Sequence, residues 1–588
     1  MNDIGGTYGT ALIASCAQGK LGGVRLLLER NADLDIVCAG RGKALHVACR
    51  NGHKDVIRLL LQKGANVNEF CENTPLQLTA ASGDLEVVKL LVAAGADINV
   101  PVEDQGCSSP LQIACSVPSR LEGDHEATPE TTSGYVDIVR FLLRKGANPN
   151  HHGGRYGDPL QAAVVGTSVG NTENNSIDIV HLLLDSGASL GHRGGIHGSA
   201  MRASVFCGNI AAAHLLIERG AELDDDIFLM AVENERDTII PLLLEKGKLD
   251  VNAQNRSGTA LQLAIRRGYA ATVNILLSHP EIDVNAVGKT DEGISALFLA
   301  VELGDLDLVT RLLVLGADTN HVPAKELTCL AEAVRKGDTK MATFLLDNGA
   351  RVNEAAPRRN TALMSACDIE SEPLVRLLLS RGADARAWVE RQGDALQVAA
   401  RKGNENLVRL LLSRGADPKA PEGRYGSCLE CAISARNTSV VRLLLGEGAN
   451  VNYSGTLETL DQQVSGFGGA LSASIWHPQE GLTKLLIDHG AEMNWRGRDY
   501  PGPPIYEAIS RDNREAFELL IERKTDVNVV GGDHGSALAC ALLKHRGSLS
   551  EDSFVQLLLD AGADVNIQGG KRWGCPLGVS KLQAVDAT

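Results

Sequence analysis

The sequence predicts an all-α solenoid of stacked helix-turn-helix units with β-turn loops between them. Three observations carry that prediction. Gly-Ala pairs begin at Gly316, Gly349, Gly382, Gly415 and Gly448, each 33 residues after the last, and a structural repeat is what holds such a period. A leucine-rich run precedes them, as in Val408 to Leu412 and Val440 to Leu445. The chain of 588 residues also carries 62 glycines but only 9 Phe, 4 Trp and 8 Tyr, which describes thin aliphatic layers separated by many turns. Length alone suggests about four ordinary domains; the period overrides that prior.

One clear copy, residues 72–99, shows why each element forms. Thr74 is placed to cap the first helix and Pro75 to occupy its first turn. Gly83 ends that helix, and Gly95 ends the second as the residue just past its C-cap. Helices of roughly 8 to 10 residues are too short to be stable alone. Leu76, Ala80, Val88, Leu90 and Leu91 fall at helical spacing and need neighbouring units to cover them. Small pairs such as Ala80-Ala81 and Ala399-Ala400 let successive first helices approach closely.

These units resemble the ankyrin-repeat family, whose pattern is T-P-L-H-x-A-A followed by V-x-x-L-L-x-x-G-A-x-x-N. The matching residues are Thr74-Pro75-Leu76-Gln77, Ala44-Leu45-His46-Val47-Ala48 and Ala395 to Ala400. Sixteen units are recognised by second helices near Leu26, Leu59, Leu90, Leu142, Leu182, Leu215, Leu242, Leu276, Leu312, Leu345, Leu377, Leu410, Leu443, Leu485, Leu519 and Leu557. Turns such as Gly153-Gly-Arg-Tyr-Gly157 and Gly531-Gly-Asp-His-Gly535 are similar to those of large fungal ankyrin arrays. The resemblance implies hydrogen bonds from His46 that tie adjacent loops; in most units glutamine, glutamate or another residue replaces that histidine. It also implies a concave partner-binding face, and asparagines such as Asn68, Asn353 and Asn566 resemble family positions that are hydroxylated.

The expected organisation is repeats 1 to 6 over 1–223, a degenerate seventh over 224–252, and repeats 8 to 13 over 253–454. An insertion over 455–466, repeats 14 to 16 over 467–566 and a partial repeat or cap over 567–588 complete it. Insertions at 116–133, 166–176 and 544–552 fall between the helices of one unit, and that at 456–465 falls between units. The seventh unit lacks the T-P-L-H pattern and shortens the Gly220 to Gly247 interval to 27; this unit and the 456–465 connection are each a candidate bend or weak joint. The odd ends leave open a piece of a longer architecture.

A net charge of −16 disfavours a nucleic-acid surface. No run of 18 apolar residues occurs and the start lacks a signal-peptide pattern, so the expectation is a protein inside the cell, in cytoplasm or nucleus; a monomer is expected. Thirteen scattered cysteines point to reduced thiols. Val287-Gly288-Lys289-Thr290 looks like the end of a phosphate loop, but Asp283 stands where glycine is required. Cys428-Leu-Glu-Cys431 has no second ligand pair and reads as core. The 15 histidines form no metalloprotease or triad pattern, and Asp224-Asp225-Asp226 reads as a solvated turn. No catalytic residue, metal site or cofactor is expected.

The candidate partner-binding residues share a register, an aromatic or imidazole ring just before a turn glycine. Tyr8, Tyr156, His197, Tyr425, Phe467, His534 and Trp573 occupy it, with Arg155 and Arg424 one residue before two of them. Aromatics are favoured interface anchors; equally, each ring can pack on the next loop. The expected role is a non-enzymatic scaffold or adaptor that binds proteins. Its alternatives are a nuclear transcription coregulator and the recognition arm of a larger signalling protein or enzyme complex.

Overall fold

A computed structural model describes residues 9–38, 40–99, 108–116, 129–166, 173–288, 293–323, 326–390, 392–420, 426–452, 469–494, 502–531, 535–544 and 553–567. These residues form helix pairs in two compact units, 1–283 and 284–588. The first unit runs from Ala11–Ala17 paired with Leu21–Glu29 to Ala260–Arg267 paired with Ala270–Leu277, eight pairs among the described residues. In the second, eight more run from Ala296–Leu303 with Leu306–Val314 to Ala537–Lys544 with Phe554–Asp560. Within each unit the first helix of a pair packs on its own second helix and on the first helices of its neighbours.

The local signals act as their chemistry requires. Thr74 caps Pro75–Ser82 by accepting from the Gln77 amide, while the Gln77 side chain accepts from the Thr74 amide. Gly83 closes that helix in the left-handed region at φ 76°, and Gly95 follows the second helix at φ 89°. Most helices have 7 to 9 residues, somewhat shorter than expected. Two second helices are longer, Pro129–Arg144 and Glu173–Asp185. Both begin inside stretches read as insertions, so part of each insertion is helix.

The core corrects the expected leucine register. Second helices bury residues i, i+1 and i+4: Val87, Val88 and Leu91 in one, Val440, Val441 and Leu444 in another. Leu90 and Leu443 are only half-buried. At 100° per residue one member of a leucine triplet must turn off the core-facing stripe, and here the first one does. The seventh pair is complete, Asp225–Glu233 with Ile239–Gly247. Asp224 caps its first helix and Asp225 and Asp226 fill the first turn, where carboxylates complement the amide dipoles. The acidic triplet therefore starts a helix and is not a free turn.

Candidate functional site

Before many first helices the chain folds back into a short finger. Bridges join Cys38 to Gly42, Cys71 to Asn73, Gly153 to Gly157, Gly194 to Gly198, Val389 to Gly393 and Gly531 to Gly535, and Gln254–Asn255 pairs with Gly258–Thr259. Neighbouring fingers stack through backbone. The Ile196 amide donates to the Arg155 carbonyl at 3.1 Å. A Cβ on Gly195 would lie 2.3 Å from the Tyr156 carbonyl carbon, so only glycine permits that approach.

Two sets of side chains hold loops to their neighbours. At the third position of the first helix, His46 Nε2 lies 3.0 Å from the Glu69 carbonyl. Gln77 Nε2 donates to the Ser108 carbonyl and Gln112 Nε2 to that of Gly153, both at 2.8 Å. The second set sits four residues after the turn glycine in most repeats. Asn68 Nδ2 donates to the Gly95 carbonyl at 3.0 Å while its Oδ1 accepts from the Asp97 amide at 2.7 Å. Asn150 grips Gly187 and Ser189 in the same way, and Asn353 grips Gly382 and Asp384. A carboxamide alone among small side chains offers a donor and an acceptor on one plane, which explains the asparagine at each.

Three of the nine candidate binding residues are described. Arg155 is exposed, with its guanidinium 5.9 Å from the half-buried Tyr156 ring. His197 is half-buried, its ring 5.0 Å from Phe206. Burial, with a smaller contribution from the Arg155 charge, holds the His197 imidazole below its usual pKa. Tyr8, Arg424, Tyr425, Phe467, His534 and Trp573 lie outside the described residues, as does the 456–465 connection. Arg155, Tyr156 and His197 come together on adjacent fingers.

A different finger position carries exposed apolar side chains. Val37 (52% exposed), Phe70 (53%), Trp388 (42%) and Val530 (39%) each immediately precede the residue that opens a finger bridge. Three of them stand five residues before the closing glycine, a spacing the sequence contains and the aromatic register passed over. Trp476 was missed as well. Its indole donates to Glu507 at 2.7 Å and its ring lies 3.3 Å beneath the Arg511 guanidinium, a cation–π stack. Burial raises the Glu507 carboxyl, against the opposing Trp476 hydrogen bond and Arg511 charge. In the second unit a cavity of about 410 Å³ lies between first helices and turns, lined by Glu302, Glu332, Arg335, Arg358 and Arg359.

The cysteine pair has no exposed reactive face. Cys428 and Cys431 are buried, burial pushes both thiols well above their usual range, and Cys428 Sγ lies 3.1 Å from the Pro418 carbonyl. Thiolate chemistry needs the opposite environment. No group of three His, Cys, Asp or Glu among the described residues has metal-binding geometry. None of the described helices is long and apolar enough to cross a membrane.

Comparison with known proteins agrees with this construction. The family described as "Ankyrin repeats (3 copies)" matches residues 2–71, 200–288, 297–388 and 389–454, and "Ankyrin repeat" matches 71–102 and 108–153. The helix pairs after 454 share the same build. Two curated relatives, both "Ankyrin repeat and SOCS box protein 6", from Homo sapiens and Pongo abelii, are 31% identical over 98 residues. That similarity covers 16% of this chain and 23% of each relative, so the chain spans about a quarter of the relatives it matches. The family matches, the repeated helix pair and the stacked fingers lead to one conclusion: the chain belongs to the ankyrin-repeat family.

Proposed function

We propose that this protein is a non-enzymatic scaffold or adaptor that holds partner proteins on the face made by its fingers and first helices. The observation that carries this reading is the recurrence of an exposed apolar side chain at one finger position, Val37, Phe70, Trp388 and Val530. Large apolar side chains left in water at equivalent points of a repeating surface are suited to contact. Family membership supports the same class, since ankyrin repeats generally mediate protein interaction. Both curated relatives carry a SOCS box in their name, which favours an adaptor that presents a bound protein to other components as the second reading.

The test is an affinity pull-down with wild type and with the Phe70→Ala/Trp388→Ala double variant, circular dichroism confirming that both are folded. Loss of the same prey from the folded variant is expected. A prey set identical to that of wild type would remove the support for a finger-borne surface.

A further inference from the structure

The fifth and sixth repeats of the first unit meet without the asparagine clamp. Nine asparagines among the described residues donate to the carbonyl at the end of the next repeat's second helix. Each also accepts, through Oδ1, from an amide two residues further on. Asn150 stands four residues after Gly146; four residues after Gly187 stands Gly191. With no side chain at 191, the Gly220 carbonyl and the Glu222 amide are left without the partners their counterparts have. The seventh repeat also builds no finger, because its chain passes from Ala221 directly to the Asp224 cap.

The two omissions coincide in space. A cavity of about 440 Å³ opens there, lined by Gly191, Gly220 and Glu222, the three positions of the absent clamp, and by Arg193, Arg202 and Asp224. Its rim is acidic. Arg202 is engaged by Asp226 at 3.2 Å and Asp224 at 3.8 Å, and Arg193 stands 4.0 Å from Glu222 with both side chains open to water. With Glu222, Asp224 and Asp226, three carboxylates face two guanidinium groups.

We propose that this notch is a docking pocket for an asparagine or glutamine side chain of a partner protein, presented next to lysine or arginine. The partner's carboxamide takes the place of the missing one, donating to the Gly220 carbonyl and accepting from the Glu222 amide. The cationic neighbours meet the surplus of carboxylates on the rim. This inference rests on the reading of the protein as a binder of proteins and names what one part of its surface recognises.

The structure supplies a variant that closes the pocket without changing its charge. A Cβ at Gly191 meets no atom within 4 Å, so Gly191→Asn has room to complete the clamp from within the chain. The full-length protein, its Gly191→Asn variant and a Glu222→Gln/Asp224→Asn double variant, which keeps a side chain able to cap the helix, are each presented to a phage-displayed library of random dodecapeptides. The expected result is enrichment of Asn or Gln beside Lys or Arg. Binding of the enriched peptides should fall at least tenfold on Gly191→Asn, with an undiminished melting temperature, and severalfold on the double variant. Because Gly191→Asn leaves the net charge at −16, a fall there cannot come from general attraction of cations. Absence of that enrichment, or peptide binding indifferent to both variants, overturns the proposal. If the pull-down prey still depends on Phe70 and Trp388 in that case, the notch fails as a site and the protein-binding reading stands.

Discussion

The cap of the twelfth repeat shows how one side chain can carry a chemical liability in a scaffold this regular. Asp394 caps Ala395–Lys402 where most repeats use Ser or Thr, and it is 1% exposed. Burial raises its carboxyl from 3.8 to about 6, against the opposing hydrogen bonds from the Gln397 and Leu396 amides. The folded state therefore holds this proton more tightly than the unfolded chain does. Its stabilising contribution is complete below about pH 4 and is lost as pH rises through 6. A difference of about two pKa units corresponds to about 3 kcal/mol. Asp394→Asn keeps the cap and removes the titration, so in urea unfolding it should gain about 2 kcal/mol on wild type between pH 4.5 and pH 7.5. Equal pH dependence in the two proteins would show that this carboxyl is not desolvated in solution.

At the scale of the helix, burial is decided by angle more than by composition. Within Val440 to Leu445 the stripe facing the core takes Val440, Val441 and Leu444, all fully buried, and leaves Leu443 half-exposed. Leu444→Ala should cost about 2–5 kcal/mol, as cavity-forming substitutions do, and Leu443→Ala well under half as much. Matched losses in chemical denaturation would return the register to the one expected from sequence. The helices themselves were legible because glycines, caps and the 33-residue period are local signals: Thr74, Pro75, Gly83 and Gly95 act as read. The phase of a leucine triplet was not legible, since Leu443, Leu444 and Leu445 are the same letter and only the neighbouring helices distinguish them. The candidate site was legible in part. The turn glycines located the fingers, but Val37 and Trp388 share no residue type, and their common exposure appears only once the bridges at Cys38 and Val389 fix the register. The notch was the least legible, because the signal is the side chain that Gly191 lacks.

Among the described residues the asparagine bonds that join repeats each reach to the next repeat. Asn320 binds Gly349 and Arg351, Asn353 binds Gly382 and Asp384, and Arg386 Nε donates to the Gly415 carbonyl where the asparagine is replaced. Such a chain of couplings makes stability a sum of repeat terms and nearest-neighbour terms rather than one cooperative quantity. A lesion should then be felt locally. Leu411 is fully buried in Glu405–Ser413, and Leu411→Ala should cost about 2–5 kcal/mol in that repeat. Amide exchange followed by mass spectrometry should show faster exchange in peptides from 395–416 and from the adjoining helices Glu372–Ser380 and Thr438–Gly446. Protection of Lys54–Gln62 and Leu85–Ala93 in the first unit should stay unchanged within error. Uniform acceleration over all 16 repeats would mean that the array unfolds as one body, and the nearest-neighbour description would be wrong. Locality also bears on function: a partner that orders one set of fingers stabilises those repeats and their neighbours, so a bound segment should be mapped by the protection it confers rather than by a shift of the whole unfolding curve.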